Sequence, residues 1–474
     1  MTKRPPNPWV ITWTVLAGAF AIGINFTILA VSRPAIADDL HVDASTLVWL
    51  ISGPMLANAL FTATAGKLGD LYGHRRVYLW GIATSVIFAV LSAVAWNSWS
   101  LVAFRVLGAV VGSAAVPASM AIINLMFEPA KRSTALGYWS LVGAGAPVVG
   151  LIIGGPLVDA FGWRTIFWIQ VPLLAVAALI AWRVLPETNR ATQTQFDVAG
   201  NVVLGISLVA LLGAVERASS WGWGSPATIA GFAVALGAGV WFVRIEQRVE
   251  HPLIPIRYFK RRNFAVPIVV IFFAQFGYMG GFILVPRLLA EVGGESASHI
   301  STLMIPRPLV FAIAGALAGV FIRVIGVRRM TAGGTALIVV SLLMIASTAA
   351  ALDTWVVIIA IALSGLGMGL VQPAIALSVA NSVDDADLGV AGATQQMSVQ
   401  VATSLGMNLL DSVQTGLVAT LGIAGAFSRS YQLGAGLTAA GILFALLLPR
   451  HPARVTRRTA TIVPTGAPIV AEAP

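Results

Sequence analysis

The stretch Gly66-Lys67-Leu68-Gly69-Asp70-Leu71-Tyr72-Gly73-His74-Arg75-Arg76 lies between two long apolar segments, 45–66 and 76–95. Gly66 and Gly73 suit a tight turn, where side chains would block close backbone approach and positive φ. Asp70 is an acid placed to cap a helix or to pair with a base. Arg75 and Arg76 put positive charge directly beside an apolar segment. A second run, Gly319-Val320-Phe321-Ile322-Arg323-Val324-Ile325-Gly326-Val327-Arg328-Arg329, repeats the register half a chain later. Gly319 matches Gly66, Gly326 matches Gly73, and Arg328 and Arg329 match Arg75 and Arg76. The acid is not repeated, because Arg323 stands where Asp70 should be. A motif recurring at half-chain spacing implies two related halves.

Working outward, the chain has 474 residues, of which 58% are hydrophobic and only 10% charged. A soluble domain carries roughly 25% charged residues. Fourteen apolar segments, most of them near the ~20 residues needed to cross a bilayer, run 9–31, 45–66, 76–95, 99–125, 133–158, 164–184, 198–216, 226–245, 264–290, 299–324, 328–351, 354–378, 388–419 and 429–449. The fold class that follows is an all-α polytopic membrane protein. The segment 388–419 is over-long and is expected to tilt, kink or project beyond the bilayer. With no cysteine, disulfides, thiol chemistry and Cys-based metal sites are excluded. The net charge of +10 sits mostly in loops beside spans, so topology explains it and a nucleic-acid partner is not expected. Met1–Pro8 is short and polar, and the segment after it is too long for a cleaved signal region, so it is expected to stay as the first helix.

An even number of spans puts both termini on one side. Lys and Arg crowd the loops of that side, whereas the opposite loops hold only Arg33, Arg164, Arg217, Arg287 and Arg429. Both termini are therefore expected in the cytoplasm. One cytoplasmic loop lacks bases and reads Asp384-Asp385-Ala386-Asp387. Its acids suit the positive N-terminal end of the next helix. They could equally pair with Arg75, Arg76 or Arg132, or form a solvated capping loop. The loop 246–263 is basic and amphipathic and is expected along the anionic inner leaflet, with membrane lipids as partners. The tail 451–474 is expected to be disordered.

Within the spans, Arg105 lies in Ala103-Phe104-Arg105-Val106-Leu107-Gly108, and a buried arginine in lipid faces a bundle interior or a water-filled cavity. Gly143, Gly145, Ala146, Pro147, Gly150, Gly154, Gly155 and Pro156 fill the fifth segment, a composition that lets helices approach and bend. Asp411 is the clearest in-span acid, a coupling candidate unless Arg287 or Arg307 holds it ionised. Polar in-span residues that could line a midplane cavity include Asn58, Gln275, Gln372 and Gln396. No Walker sequence, His-Glu-x-x-His or nucleophile elbow is present, so neither an enzyme nor a cofactor is expected.

The run 66–76 resembles the signature loop between the second and third helices of the major facilitator superfamily. The fifth segment is similar to that family's antiporter motif, Gly-Pro followed by Gly-Gly, with Ala146 where glycine is usual. Trp163-Arg164, Pro186-Glu187-Thr188, Asp197-Val198-Ala199-Gly200, Trp221-Gly222-Trp223 and His251-Pro252-Leu253-Ile254-Pro255 extend the resemblance to the fourteen-helix branch of drug:proton antiporters, over 10–449. That branch implies six-helix bundles at 1–190 and 263–450, joined by two extra helices and a basic loop at 191–262, with the tail at 451–474. It implies a multi-pass protein of the inner or plasma membrane that exports amphiphilic or hydrophobic small molecules against inward-moving protons, expected as a monomer. It also links Arg105 to proton relay or charge stabilisation. The first segment departs from the branch: the membrane acid is replaced by Asn25, which cannot titrate but remains a cavity candidate, and a later asparagine is replaced by Ala30. Competing readings are a proton-independent or lipid or metabolite exporter, and a non-transporting sensor or scaffold. A mechanical expectation follows for the signature run: Asp70 with Arg75 and Arg76 latches against the acidic approach to the segment 388–419, closing the cytoplasmic side.

Overall fold

Apolar runs of this length satisfy every backbone group internally only as helices. The computed structural model describes residues 7–40, 44–188, 197–249, 256–295, 297–384 and 387–449, and among them the regular structure is helical. The elements are α1 (Pro8–Val31), α2 (Arg33–Leu40), α3 (Ala44–Tyr72), α4 (His74–Ala93), α5 (Ser98–Gly112), α6 (Ala115–Met126), α7 (Pro129–Phe161) and α8 (Arg164–Val184). They continue with α9 (Val198–Trp221), α10 (Pro226–Glu246), α11 (Arg262–Glu291), α12 (Ala297–Leu303), α13 (Pro306–Thr348), α14 (Thr354–Ala380) and α15 (Leu388–Ala445). A short 3-10 helix, Ile256–Lys260, precedes α11.

Two of these rods are pairs of helices joined at a kink. α13 breaks at Gly326 (φ 80°, ψ 160°) and α15 at Gly422 (φ 70°, ψ 173°). Divided there, and with α5 and α6 taken as one broken span, the helices match the fourteen segments of the sequence. Among the described residues, eight helices are long and apolar enough to cross a membrane, with shorter apolar helices at Pro8–Ile24 and Ala199–Val215. The outward faces are apolar. Trp96, Trp99 and Trp355 are mostly exposed and sit near helix ends, as in the aromatic belts of membrane proteins.

The signature run is not a free loop. α3 continues through Tyr72, and the turn into α4 is made by Gly73 alone, at φ 94° and ψ 131°. The reading of Gly66 as a turn residue is therefore corrected. It lies inside α3, and its missing side chain serves a helix crossing, because Leu68 to Tyr72 simply extend the helix. The fourth segment also departs from expectation, dividing at Ser113 and Ala114 into α5 and α6.

The α9–α10 hairpin packs on both halves of the chain. Thr64 Oγ1 donates to Asn201 Oδ1 (2.5 Å), and Trp223 Nε1 donates to Ser412 Oγ on α15. Val203, Leu204, Leu208 and Phe242 share one apolar cluster with Val390 and Met397 of α15, with Leu60 of α3 against it. The tail 451–474 and the stretch 250–255 of the basic loop fall outside the described residues, as do Asp385 and Ala386.

Candidate functional site

α3 and α15 cross at Gly66. A Cβ there would stand 2.6 Å from the Gly389 carbonyl oxygen and 2.7 Å from the Ala393 Cβ, so only glycine permits this approach. One helical turn on, Asp70 is buried at 6% exposure. Its Oδ1 accepts from the Gly389 N–H at 3.0 Å and its Oδ2 from the Val390 N–H at 3.1 Å. These are first-turn amides of α15, which have no partner inside their own helix. Asp70 thus caps, from the N-terminal half, a helix of the C-terminal half. His74 Nε2 lies 3.2 Å from the same Oδ1.

The N-cap residue of α15 itself, Asp387, makes no side-chain capping bond. Its Oδ2 instead accepts from the Tyr258 hydroxyl at 2.6 Å and from Arg257 Nη2 at 3.4 Å. The Tyr258 hydroxyl oxygen also lies 3.1 Å from Asp384 Oδ2, and Arg261 Nη1 donates to the Ser382 carbonyl at 3.2 Å. Burial, and after it the Asp387 carboxylate, pushes the Tyr258 phenol up from its ordinary value, so it remains a donor. The 3-10 helix of the basic loop, with Arg261 after it, therefore grips the acidic approach to α15.

The arginines of the signature run go elsewhere. Arg75 Nη1 donates to Glu187 Oε1 at 2.5 Å and Nη2 to the Trp182 carbonyl at 2.7 Å, while Arg76 Nε lies 3.8 Å from Glu187 Oε2. The expected latch from Arg75 and Arg76 to Asp384 and Asp387 is corrected on this point. The turn at Gly73 aims both guanidiniums at the end of α8, inside the same half, where a carboxylate is closer.

The second copy reproduces the glycines and not the capping. A Cβ on Gly319 would meet the backbone N and Cα of Thr134, in the first turns of α7, at 2.8 Å. Arg323 is exposed, and its Nε donates to the Gly319 carbonyl of its own helix at 3.2 Å.

Inside the spans, Arg105 is half-buried on α5, 5.9 Å from the Phe167 ring, with an Nε that has no hydrogen-bond partner among the described residues. Asp411 pairs with Arg287 Nη1 at 2.5 Å, and Arg287 Nε also donates to Glu291 at 3.1 Å. The base that the sequence offered as a neutralising partner for Asp411 is therefore Arg287. Gln275 is buried and donates to Thr403 Oγ1 at 2.9 Å, tying α11 to α15. Gln372, Gln396 and Asn58 are half-buried, and Asn58 Oδ1 accepts from Thr62 Oγ1 at 3.3 Å. Asn25 lies on α1, with its side chain outside the described ones.

In α7 a Cβ on Gly143 or Gly145 would meet nothing within 4 Å among the described residues. Gly150 and Gly154 are buried, and Pro147 and Gly155 continue the same helix. Between α1, α7 and α8 lies a wholly apolar cavity of about 460 Å³, bordered by Trp13, Phe20, Val142 and Pro172.

Four participants carried no site assignment from the sequence. His74 and Tyr258 looked like loop residues, and Gly389 gave no signal at all. Arg307, noticeable as an in-span charge, is 4% exposed, lies 3.6 Å over the Tyr278 ring and donates to the Tyr278 carbonyl at 2.6 Å.

Comparison with known proteins agrees with this frame. The chain is 31% identical over 406 residues to a tetracenomycin C resistance and export protein of Streptomyces glaucescens, spanning 85% of this chain and 75% of that one. It is 29% identical over 414 residues to the multidrug transporter protein MdtP of Bacillus subtilis, spanning 87% and 76%. Among solved structures, the human organic anion transporter MFSD10 shares the fold at a TM-score of 0.70 and 16% identity, over 93% of this chain and all of that one. The family model for the Major Facilitator Superfamily matches residues 15–407. With its glycine-repeated halves and its helical frame, the chain belongs to the Major Facilitator Superfamily of membrane transporters.

Proposed function

We propose that the protein is a secondary active exporter of amphiphilic or hydrophobic small molecules, moving them out of the cytoplasm by alternating access. The observation that carries this reading is the trans cap of α15 by Asp70. It is a small, breakable contact at one end of a long seam, as an element that must open and reclose requires. The names of the relatives, among them a multidrug efflux pump of Mycolicibacterium smegmatis, support drug efflux as the cargo class.

In this reading, residues 1–190 and 263–450 rock as two bundles, and 191–262 forms the extra hairpin and basic loop. Both termini face the cytoplasm of a bacterial inner membrane. Gly66, Asp70 and Gly73 form the cytoplasmic gate, with Arg75 and Arg76 bracing its N-terminal side. The cavity between the bundles draws on Asn25, Asn58, Gln372 and Gln396. The fifth-helix residues Gly143, Pro147, Gly150, Gly154 and Gly155 supply bend and close packing selectively along α7.

Inward proton movement drives export, with Arg105 as the internal charge that responds to it. Reconstituted in proteoliposomes, the protein is expected to extrude a lipophilic dye faster when the pH gradient favours proton influx. Dye transport that ignores the gradient would remove the antiport half of the proposal and leave the export half standing. One observation favours that second, proton-independent reading. Asn25 replaces the membrane acid of the first helix, and Asp411 is matched by Arg287.

A further inference from the structure

The two amides that Asp70 accepts from are the ones that an ordinary N-cap would use. With Asp387 at the N-cap of α15, Leu388 is N1, Gly389 is N2 and Val390 is N3. A capping side chain accepts from the N–H of N2 or N3. Asp387 thus holds the position from which an N-cap would serve this helix, and its place is taken by a carboxylate from the other half. Meanwhile its own carboxylate is turned away and held by the Tyr258 hydroxyl and by Arg257.

We propose that α15 carries a cap-exchange switch. Asp70 caps it when the cytoplasmic seam is shut. Asp387 swings in to cap it when the seam opens, with Tyr258 holding Asp387 in reserve. The inference rests on reading this seam as the cytoplasmic gate. Its physical basis is that a helix end stripped of its cap leaves two orphaned amides, which penalises opening. A cap in waiting removes most of that penalty, so the gate opens without first exposing a bare helix end. Asp387 and Tyr258 then act as positioning residues for the transport cycle, with no contact to cargo.

The chain has no cysteine, so two introduced ones are unique labels. Spin labels at Y72C on α3 and R262C on α11, both exposed positions, report the separation of the halves in the full-length protein in liposomes. Asp70→Ala is expected to enlarge the long-distance, open population. Failure of that arm overturns the gate reading itself. Tyr258→Phe frees Asp387 and is expected to raise the open population about tenfold, the scale of one hydrogen bond to a charged group. Adding Asp387→Ala to Tyr258→Phe should reverse that gain by about three- to thirtyfold, the scale of losing an N-cap. Asp387→Asn, which keeps a capping oxygen, should not reverse it. If Asp387 were only an anchor for the 3-10 helix, its removal after Tyr258→Phe would change nothing. That result, or a further rise in the open population, overturns the switch while leaving the gate intact.

Discussion

The runs 66–76 and 319–329 share Gly66 with Gly319, Gly73 with Gly326 and the closing arginine pair, but Arg323 stands where the first has Asp70, and the two seams they build differ accordingly. Gly73 and Gly326 make the same positive-φ turn, at 94° and 80°. Gly66 and Gly319 both let a helix of one half press on the backbone of the other. The steric part of the motif is thus needed twice. The electrostatic part is needed once, because the helix ends facing the two glycines are not alike. α15 begins with free amides at Gly389 and Val390, and Asp70 takes both. α7 begins with Pro129, which has no N–H to satisfy, and the Lys131 N–H already donates to the Glu128 carbonyl at 2.9 Å. A carboxylate at 323 would find little to cap, and Arg323 stays in solvent instead.

The sharpest way to break this comparison is steric. Gly66→Val and Gly319→Val should each abolish transport, because in both cases the added atoms meet backbone that cannot rotate away. Dye efflux from vesicles checks it, and a tolerated Gly319→Val would show that only the Asp70 seam closes tightly. Next in size is the acid. Asp70→Ala removes both capping acceptors, and by the scale of an N-cap the shut seam should weaken by about three- to thirtyfold. Arg323→Gln should change transport less than about twofold, as surface substitutions do. Equal effects at 70 and 323 in the same assay would erase the asymmetry.

A smaller effect is expected at the hairpin beside the first seam. Asn201→Ala and Trp223→Phe each remove one clip, on α3 and α15 respectively. A single hydrogen bond is worth about 0.5–1.5 kcal/mol, so labels across the seam should report about two- to tenfold more opening. The second seam has no such hairpin among the described residues, and labels placed there should not respond. The smallest change is expected at Asp411. Its pair with Arg287 is about one-third exposed on both sides, and such pairs contribute about 0–1 kcal/mol. Asp411→Asn should therefore reduce pH-driven efflux less than about fivefold. Complete loss of the pH response would move proton coupling away from Arg105 and onto α15.

Much of this was legible in the sequence because it depends on solvent and spacing alone. Apolar runs of bilayer length must be helices, and the repeated glycines marked two related halves. The asymmetry was legible too, since Arg323 could never replace a carboxylate. Asp411 was readable only up to a choice between Arg287 and Arg307, residues more than a hundred positions away. The Arg75–Arg76 pair misled, because charge complementarity names every acid within reach and geometry selects one. Here the Gly73 turn selected Glu187.

The sequence by itself determined the class, the number of apolar segments and the repeated glycine spacing, because these follow from hydration and from the order of residues alone. The tertiary structure alone decided which helix end Asp70 caps, that Tyr258 holds Asp387 away from that end, and that His74 stands beside the capping carboxylate. Those contacts join residues about three hundred positions apart in some cases, and their strength lies in directed hydrogen bonds a few ångströms long. No local pattern encodes such a bond, since it exists only once two halves have packed.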